Sequence, residues 1–297
     1  MRIAFIMLCH KNAEQVNLLI KKLSEFTDSD IYIHVDKKYS EIKESLFKQK
    51  NVFLLPPLSS YKIDWGSIAV VKATLELIRA VKKSGKQYDY IWLVSGQDYP
   101  IVSAREIEER LSLHPEINYI QIIVQGDNRY NWYKKLCEIS YPAWISKDNF
   151  AIKAIKHLLK ILTGGYQHTF KCFIRKKPFP CEFAFGSQWW TLTSQAAYEI
   201  LEYSDAHPEI LEYYKRCIIP DESFFQTLFL RGPYGDQRAM SLTYVKLGKN
   251  HRHPDVLTKE NAGLLREKSD QFCFARKFDV PISEELINQI NTSFHHV

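Results

Sequence analysis

The chain has 297 residues, of which 45% are hydrophobic and 25% charged, and its formal net charge is +6. This composition supports a folded protein with a sizeable core and excludes a disordered or fibrous chain. The positive excess, which we take to be spread along the chain, suits an anionic ligand or an anionic membrane surface. Since the sequence shows no recognised nucleic-acid-binding motif, we expect no nucleic-acid partner.

Strands and helices alternate through the first part of the chain. The near-continuous apolar run "RIAFIML" predicts a strand covered on both faces, and "NAEQVNLLIKKLSEF" has helical spacing. Further strands are predicted at "DIYIHVD", "NVFLL", "YDYIWLV" and "INYIQIIV", and a long helix at "SIAVVKATLELIRAVKKSG". This alternation predicts an α/β fold with a mostly parallel central sheet flanked by helices.

The rest of the chain divides into an irregular stretch and a second ordered one. Residues 129–180 are mixed, aromatic and basic, which predicts an excursion that covers the substrate. After it we predict a turn and strand at "FAFGSQWWTLT", helices at "SQAAYEILEYS" and "PDESFFQTLFL", a strand at "MSLTYVKL", and helices at "TKENAGLLREK" and over residues 283–291. No linker rich in Gly, Ser or Pro interrupts the chain, so we predict a single domain.

The N-terminal apolar run is too short to span a bilayer and is not followed by a small-residue cleavage site. We therefore expect a cytoplasmic protein, with peripheral contact with the inner face of the membrane left open. The cysteines are dispersed and form no Cys-x-x-Cys pair, so reduced thiols are expected.

Polar residues follow the first, second and fourth predicted strands, in "CHKN", "HVDKK" and "SGQDYP". Ligands of parallel sheets bind at the carboxyl ends of the strands, so His10, Asp36 and Asp98 are predicted to line one crevice. Each also has a structural explanation: a lone histidine, an aspartate between lysines, and a turn rich in Gly, Asp and Pro. The pattern alone leaves both explanations open.

The segment "PDESFFQ" places Asp221 and Glu222 at a predicted helix start. Proline suits the first helical position and acidic residues in the first turn complement the helix dipole, so a purely structural role explains the segment. A carboxylate that stays ionised near neutral pH is also what a general base requires. The segment alone does not decide between these roles, of which the structural one is more common.

The sequence offers no convincing metal or phosphate loop. Its one Asp-x-Asp spacing, Asp28 to Asp30, precedes the second strand, at the end opposite the predicted crevice, and we interpret it as a loop. Glycine-rich phosphate loops are absent from the sequence. A bound diphosphate would then be neutralised by cations of the protein, for which Arg276, Lys277 and Arg252 are candidates.

Several motifs together resemble a known family. The stretches "LCHKN", "IYIHVDKK", "WGSIAVVKATLELI", "SGQDYPI", "FGSQWWTLT", "PDESFFQT" and "FARKFD" occur in an order similar to that of the core-2/I-branching β-1,6-N-acetylglucosaminyltransferases, a family that includes the peptide O-xylosyltransferases. The resemblance runs from about residue 2 to about residue 280 and weakens over residues 129–180. It implies a nucleotide-sugar-binding fold of the GT-A type, with a nucleotide-binding half over residues 1–125 and an acceptor-binding and catalytic half over residues 126–297.

The resemblance also implies roles for individual residues. Glu222 corresponds to the base that deprotonates the acceptor hydroxyl. The donor-binding candidates are His10, His34, Val35, Asp36, Asp98, Arg252, Arg276 and Lys277, of which the "HVD" residues are expected against uridine and Lys277 and Arg276 at the diphosphate. Trp189, Trp190 and Asp221 are the acceptor-binding candidates, although one of the two tryptophans is expected in the core.

Departures from the family pattern limit this assignment. Many relatives have a lysine after the His-Pro pair where this chain has Asp255, so the second cation stays open between Arg252 and Lys259. The acceptor region around "DNRYNWYKK" has no residue-by-residue match. The chain resembles a compact bacterial-type member without the membrane anchor of the Golgi enzymes.

We therefore expect an inverting, metal-independent and cofactor-free glycosyltransferase that moves GlcNAc or xylose from a UDP-sugar to a glycan hydroxyl, for a surface polysaccharide or glycolipid. The alternative is a non-catalytic glycan- or nucleotide-binding protein on the same scaffold.

Overall fold

A seven-stranded sheet and a smaller three-stranded sheet organise the part of the chain that the computed structural model describes, residues 1–138, 150–162, 182–248 and 254–293. The strands are β1 (Ile3–Cys9), β2 (Ser29–Val35), β3 (Val52–Leu54), β4 (Tyr90–Ser95), β5 (Asp98–Pro100), β6 (Asn118–Tyr119), β7 (Thr191–Thr193), β8 (Arg238–Ala239), β9 (Thr243–Val245) and β10 (Phe274–Arg276). The larger sheet has the order β3-β2-β1-β4-β7-β6-β8 and the smaller one β5-β10-β9.

The larger sheet is mostly parallel, as the sequence predicts. Strands β1 to β4 run in one direction, and β6 and β8 pair in parallel with each other. Strand β7 is antiparallel to both β4 and β6, so it is the reversed member of the sheet. The reversal brings the segment before β7 to the same edge of the sheet as the carboxyl ends of β1 and β4.

Helices cover both faces of this sheet. They are α1 (Ala13–Leu23), α2 (Ile42–Ser45), α3 (Ala69–Lys83), α4 (Ala104–Leu113), α5 (Tyr130–Glu138), α6 (Phe150–Leu162), α7 (Ser194–Ala206), α8 (Pro208–Tyr214), α9 (Phe224–Arg231), α10 (Ala262–Lys268) and α11 (Glu284–Ser293). Alternate residues of β1 enter different clusters: Phe5 packs with α1 and α4, whereas Ile6 packs with α3 and α7. A strand buried on both faces needs a continuous apolar run, which explains "RIAFIML".

Two strand predictions need correction. The run "INYIQIIV" was expected to form one strand, but β6 covers only Asn118–Tyr119, with an isolated bridge between Ile123 and Phe185. Beyond Tyr119 the chain runs close to the segment before β7: a Cβ on Gly186 would lie 1.9 Å from the Gln121 carbonyl oxygen. In "GQDYP", expected as a turn, Gly96 and Gln97 do form a turn, but Asp98–Pro100 form β5, which pairs with β10 and places Asp98 opposite Arg276.

The segment "PDESFFQTLFL" is two helices and not one. A short 3₁₀ helix, Pro220–Glu222, is followed by Ser223 with φ −137° and then by α9. The Ser223 hydroxyl donates to the Ala184 carbonyl oxygen at 3.0 Å, a tertiary contact that the local sequence does not reveal. The break separates Glu222 from the regular helix and leaves it at a corner of the chain.

Of the remaining predictions, some are confirmed, one is corrected and others lie outside the described residues. The final helix is confirmed as α11, and "TKENAGLLREK" forms a 3₁₀ turn followed by α10. Asp30, interpreted as a loop residue, is the second residue of β2. Within residues 129–180 the structure describes α5 and α6, and the other parts of that excursion lie outside the described residues. No helix in the described ranges is both long and apolar enough to cross a membrane.

Candidate active site

The carboxyl ends of β1, β2 and β4 lie together, as the sequence predicts. The Asp36 amide donates to the Cys9 carbonyl oxygen at 2.8 Å, and the Gly96 amide donates to that of Leu8 at 3.0 Å. His10 is exposed beyond β1, and partial loss of hydration together with the positive charges of Lys11 and Lys277 lowers its pKa. The motifs "CHKN", "HVDKK" and "FARKFD" therefore meet at one edge of the sheet.

Asp98 and Arg276 form the buried centre of this edge. The Asp98 side chain is fully enclosed, and its Oδ2 accepts from the Ser95 amide at 2.8 Å. Its Oδ1 lies 3.5 Å from the Arg276 Nε. Burial raises the pKa of Asp98 to about 6, although the positive charge of Arg276 opposes the rise. Asp98 is placed to hold Arg276 rather than to face solvent.

Arg276 lies between Asp98 and Trp189. Its guanidinium carbon is 3.8 Å from the centre of the Trp189 ring, a close cation–π contact. Burial lowers the pKa of Arg276, and its Nε and Nη1 find no hydrogen-bond partner in the described part of the chain. A guanidinium with unused donors is unusual in a protein interior, and its planar fork of N–H groups suits an anionic ligand such as a phosphate.

Lys277 and Lys11 add positive charge beside Arg276. Lys277 is half-buried, and loss of hydration together with the charges of Arg276 and Lys11 lowers its pKa. Lys11 is exposed, and its Nζ lies 2.6 Å from Asp279 Oδ2. The sequence indicated Lys277 but missed Lys11, whose proximity to Lys277 depends on the packing of the chain end against β1. The "HKN" that follows the first strand was the available signal.

Glu222 lies in a different electrostatic setting. It is half-buried, and burial together with the negative charge of Asp221 raises its pKa to about 7. The Tyr133 hydroxyl donates a hydrogen bond to its carboxylate, and this bond opposes the rise. Burial also raises the pKa of Asp221 to about 6, and its Oδ1 has no hydrogen-bond partner in the described ranges. Near neutral pH, Glu222 can thus exchange a proton.

Helix α9 fixes the position of Glu222 through hydrogen bonds to the segment before β7. The Thr227 hydroxyl accepts from the Ala184 amide at 3.0 Å, and the Gln226 side-chain amide donates to the Ser187 carbonyl oxygen at 2.7 Å. The Gly186 amide donates to the carbonyl oxygen of Glu222 itself at 2.9 Å. The segments "PDESFFQT" and "FAFGSQ" are therefore joined by several hydrogen bonds, which together fix the corner that carries Glu222.

Ile219, the residue before the 3₁₀ helix Pro220–Glu222, has a strained backbone. Ile219 has φ +49°, a left-handed conformation that is costly for a β-branched residue. Its amide donates to the Gly66 carbonyl oxygen at 3.2 Å, and Gly66 itself has φ +70°. Backbone strain of this kind clusters at functional sites. The "WGS" motif thus supports the Glu222 corner and leaves the neighbouring Trp65 exposed, a further aromatic residue that sequence reasoning did not single out.

Residues 185–190 connect the acidic and basic parts of the site. Glu222 is bonded to Gly186 at one end, and Arg276 stacks on Trp189 at the other. Trp190 is buried against Phe225, with ring centres 5.3 Å apart, so it is the core member of the tryptophan pair. Trp189 is half-buried over Arg276 and is the member that can face a ligand.

The residues at the end of β2, which were expected to contact the nucleotide-sugar donor, are almost completely buried. His34 and Val35 have no exposed surface, and Asp36 is almost enclosed. The His34 Nε2 accepts from the Tyr61 amide at 2.8 Å, and burial lowers the pKa of His34 to about 4, so the ring is neutral. The Asp36 carboxylate caps the Lys38 amide at 2.9 Å. Contact of these residues with uridine stays a prediction.

Arg252 and Lys259 were the two residues between which the sequence left the second diphosphate-binding cation open. Arg252 lies outside the described residues. Lys259 is exposed and its Nζ lies 2.8 Å from the Glu285 carboxylate. Asp255, which stands where many relatives have lysine, pairs with Lys246 at 2.9 Å. Lys11 becomes a further candidate because its positive charge lowers the pKa values of both His10 and Lys277.

The Asp28 and Asp30 pair is occupied by cations of the protein itself. Asp28 lies 3.2 Å from the Arg2 Nε, and Asp30 lies 2.8 Å from the Lys86 Nζ and accepts from the Tyr88 hydroxyl at 2.6 Å. Across the described ranges, no three His, Cys, Asp or Glu side chains are grouped as a metal ion would require.

Comparison with known proteins confirms the resemblance seen in the motifs. The family model of the Core-2/I-Branching enzyme matches residues 3–264. Xylosyltransferase 1 of Rattus norvegicus is 20% identical over 310 residues, covering 98% of this chain and 35% of the relative. Xylosyltransferase of Ciona intestinalis is 20% identical over 313 residues, covering 98% and 34%. The chain thus spans about a third of the length of the curated relatives it matches.

A solved structure, that of mouse xyloside xylosyltransferase 1 in its apo form, aligns over 93% of this chain and 97% of its own. Its TM-score of 0.37 and identity of 10% are too low to carry an argument. The family model, in contrast, matches residues 3–264, which is most of the chain and includes Asp98, Trp189 and Glu222 but ends before Arg276 and Lys277. This protein belongs to the Core-2/I-branching enzyme family.

Proposed function

We propose that this protein is an inverting glycosyltransferase that moves xylose or GlcNAc from a UDP-sugar to a hydroxyl group of a glycan acceptor. The observation that carries the proposal is Glu222, a half-buried carboxylate with a pKa raised to about 7, bonded to one end of residues 185–190 while Arg276 stacks on the other. The names of the curated relatives favour xylose, and the family name is compatible with GlcNAc.

In this proposal Glu222 is the general base. As the acceptor oxygen bonds to the anomeric carbon, its proton passes to the Glu222 carboxylate and the bond from that carbon to the UDP oxygen breaks on the opposite face. One displacement inverts the anomeric configuration. The Tyr133 hydroxyl holds the carboxylate in place. A base of this kind contributes about 10²- to 10⁴-fold to the rate.

The basic part of the site stabilises the departing UDP. Arg276 has unused donors for a phosphate oxygen, and Lys277 and Lys11 supply further charge. These groups are already in position before the reaction, so negative charge that develops on the diphosphate needs little reorganisation of the protein. Asp98 orients Arg276 from behind. The proposed reaction uses no metal ion.

The test is a UDP-release assay with the wild type, Glu222→Gln and the control Glu182→Gln, which changes an exposed carboxylate in the segment before β7. Both donors are offered with a panel of glycan acceptors, in the presence of EDTA. We expect Glu222→Gln to lose about two decades of rate or more because glutamine cannot take the proton, while its UDP affinity by calorimetry stays unchanged.

Equal turnover by the Glu222→Gln variant and the wild type would show that Glu222 only caps the chain corner. Turnover that needs Mn²⁺ and stops in EDTA would contradict the metal-independent mechanism. Donor binding without transfer to any acceptor would favour a non-catalytic binding protein.

A further inference from the structure

Helix α6 presents an apolar surface to solvent. Phe150, Leu158, Ile161 and Leu162 are all more than half exposed, and Phe150 reaches 88%. On the opposite side, Ile152 is buried and Leu159 is half-buried. The helix therefore packs against the protein along a narrow buried line that contains these two residues. Large apolar side chains in such a concentration are uncommon on the surface of a monomeric protein and indicate an interaction site.

The apolar and basic residues of α6 occupy separate arcs. With about 100° per residue, Phe150, Ile161, Leu158, Leu162 and Ile155 follow one another around less than half of the helix. The positions of Lys153, Lys156, His157 and Lys160 fall on the other side of the buried line. A helix with exposed apolar residues and a lysine-rich neighbouring face has the pattern of helices that lie in a membrane interface.

The charge of this region corrects the expectation that the positive excess is spread along the chain. Residues 150–181 contain seven Lys and Arg and no Asp or Glu. The rest of the chain therefore has 33 basic and 34 acidic residues and is almost neutral. The whole net charge of +6 thus arises from the stretch that begins with α6.

The described segments that flank this region in sequence lie beside the candidate base. Before α6 comes α5, the helix that contains both Tyr133 and Cys137. The Cys137 carbonyl oxygen accepts a hydrogen bond from the Cys217 thiol at 3.2 Å. After the basic stretch, Phe183 stacks on Phe185 with ring centres 5.9 Å apart. These flanking segments, α5 and residues 182–187, both contact Glu222, the first through Tyr133 and the second through Gly186.

We propose that α6 docks this protein on the surface of an anionic lipid bilayer, with Phe150, Leu158, Ile161 and Leu162 in the interface. The charge argues for lipid over a second copy of the chain, because two copies packed through α6 would bring two lysine-rich helices together. Acidic headgroups, in contrast, attract juxtamembrane lysines. This proposal is independent of the sugar chemistry proposed above.

The test is sedimentation of the full chain with vesicles of phosphatidylcholine alone and of phosphatidylcholine mixed with phosphatidylglycerol. Leu158→Ser/Ile161→Ser removes apolar area from α6, and Leu58→Ser is the matched control because Leu58 is an exposed leucine elsewhere. Lys156→Gln/Lys160→Gln removes charge, with Lys48→Gln/Lys50→Gln as its exposed control pair.

We expect the wild type and both controls to bind the mixed vesicles and to be released by salt. Each α6 double variant should lose about tenfold or more in partitioning, with the lysine variant losing its preference for anionic lipid. Thermal melting and UDP affinity should be unchanged in every variant.

Failure of the wild type to bind anionic vesicles, or equal losses in the α6 variants and their controls, would overturn the proposal. Dimerisation in analytical ultracentrifugation that is abolished by Leu158→Ser/Ile161→Ser, without vesicle binding, would assign the surface to a second copy instead. Because vesicle binding is measured without any sugar substrate, its outcome does not depend on whether Glu222 is the base.

Discussion

The charged groups at the two ends of residues 185–190, Glu222 and Arg276, have opposite kinds of charged neighbours. At one end Glu222 has another carboxylate, Asp221, as its charged neighbour, and its pKa rises to about 7. At the other end Arg276 has the carboxylate of Asp98 as a counter-charge and two further lysines nearby. The acidic end is arranged to exchange a proton, whereas the basic end is arranged to keep its charge and bind an anion. The changes below test this division of roles.

The largest expected effect concerns the counter-charge at the basic end. Arg276→Met leaves Asp98 buried without its partner, so we expect a loss of about 3 to 5 kcal/mol in the free energy of unfolding, measured by urea denaturation well above the pKa of Asp98. Asp98→Asn/Arg276→Met removes both charges, and asparagine can still accept from the Ser95 amide.

This double variant should recover most of the stability and still fail to bind UDP. A double variant as unstable as the single one would show that Arg276 contributes packing and not charge compensation. Recovery of UDP affinity in the double variant would remove Arg276 from the donor site.

A smaller effect is expected where the two ends are joined. Thr227→Val deprives the buried Ala184 amide of its acceptor, and we expect a loss of about 1 to 3 kcal/mol in stability. Because Thr227 positions the corner that carries Glu222, kcat should fall several-fold while the KM for the donor stays constant. Thr74→Val is the matched control, since the Thr74 hydroxyl only donates to the Val70 carbonyl oxygen within α3. Equal effects on kcat in both variants would separate Thr227 from the site.

The acidic end is tested by the pH dependence of the rate. A base with a pKa of about 7 is protonated in acid, so kcat/KM should rise with pH and level off above that value. Asp221→Asn removes the neighbouring negative charge, which lowers the pKa of Glu222 and moves the inflection to lower pH by up to about one unit. Activity is then retained further into acid. An inflection at the same pH in both proteins would show that the carboxylates are not coupled.

Sequence reasoning located the elements that depend on local pattern. Buried parallel strands are continuous apolar runs, so β1, β2 and β4 and the polar residues at their ends were predictable. Glu222 was identified as the candidate base from the family motif, because acidic residues at a helix start are also explained by a purely structural role. What the sequence did not reveal depends on contacts between distant segments: the hydrogen bond from Tyr133 to Glu222, the break at Ser223, and the proximity of Lys11 to Lys277. The enclosure of His34 has the same origin, since the Tyr61 amide that bonds it lies far along the chain.

The smallest expected effect sharpens the role of the aromatic residue at the basic end. Trp189→Leu keeps an apolar side chain over Arg276 but removes the cation–π contact, so we expect the KM for the donor to rise about two- to fivefold, with kcat little changed. Tyr203→Leu is the control, because Tyr203 makes the same kind of contact with Arg231, with 4.2 Å from the guanidinium carbon to the ring centre. Tyr203→Leu should change the stability of the protein but neither kcat nor the KM for the donor. If Trp189→Leu lowers kcat and leaves the donor KM unchanged, Trp189 acts on the acceptor side of the reaction, and the basic end binds the diphosphate without help from the ring.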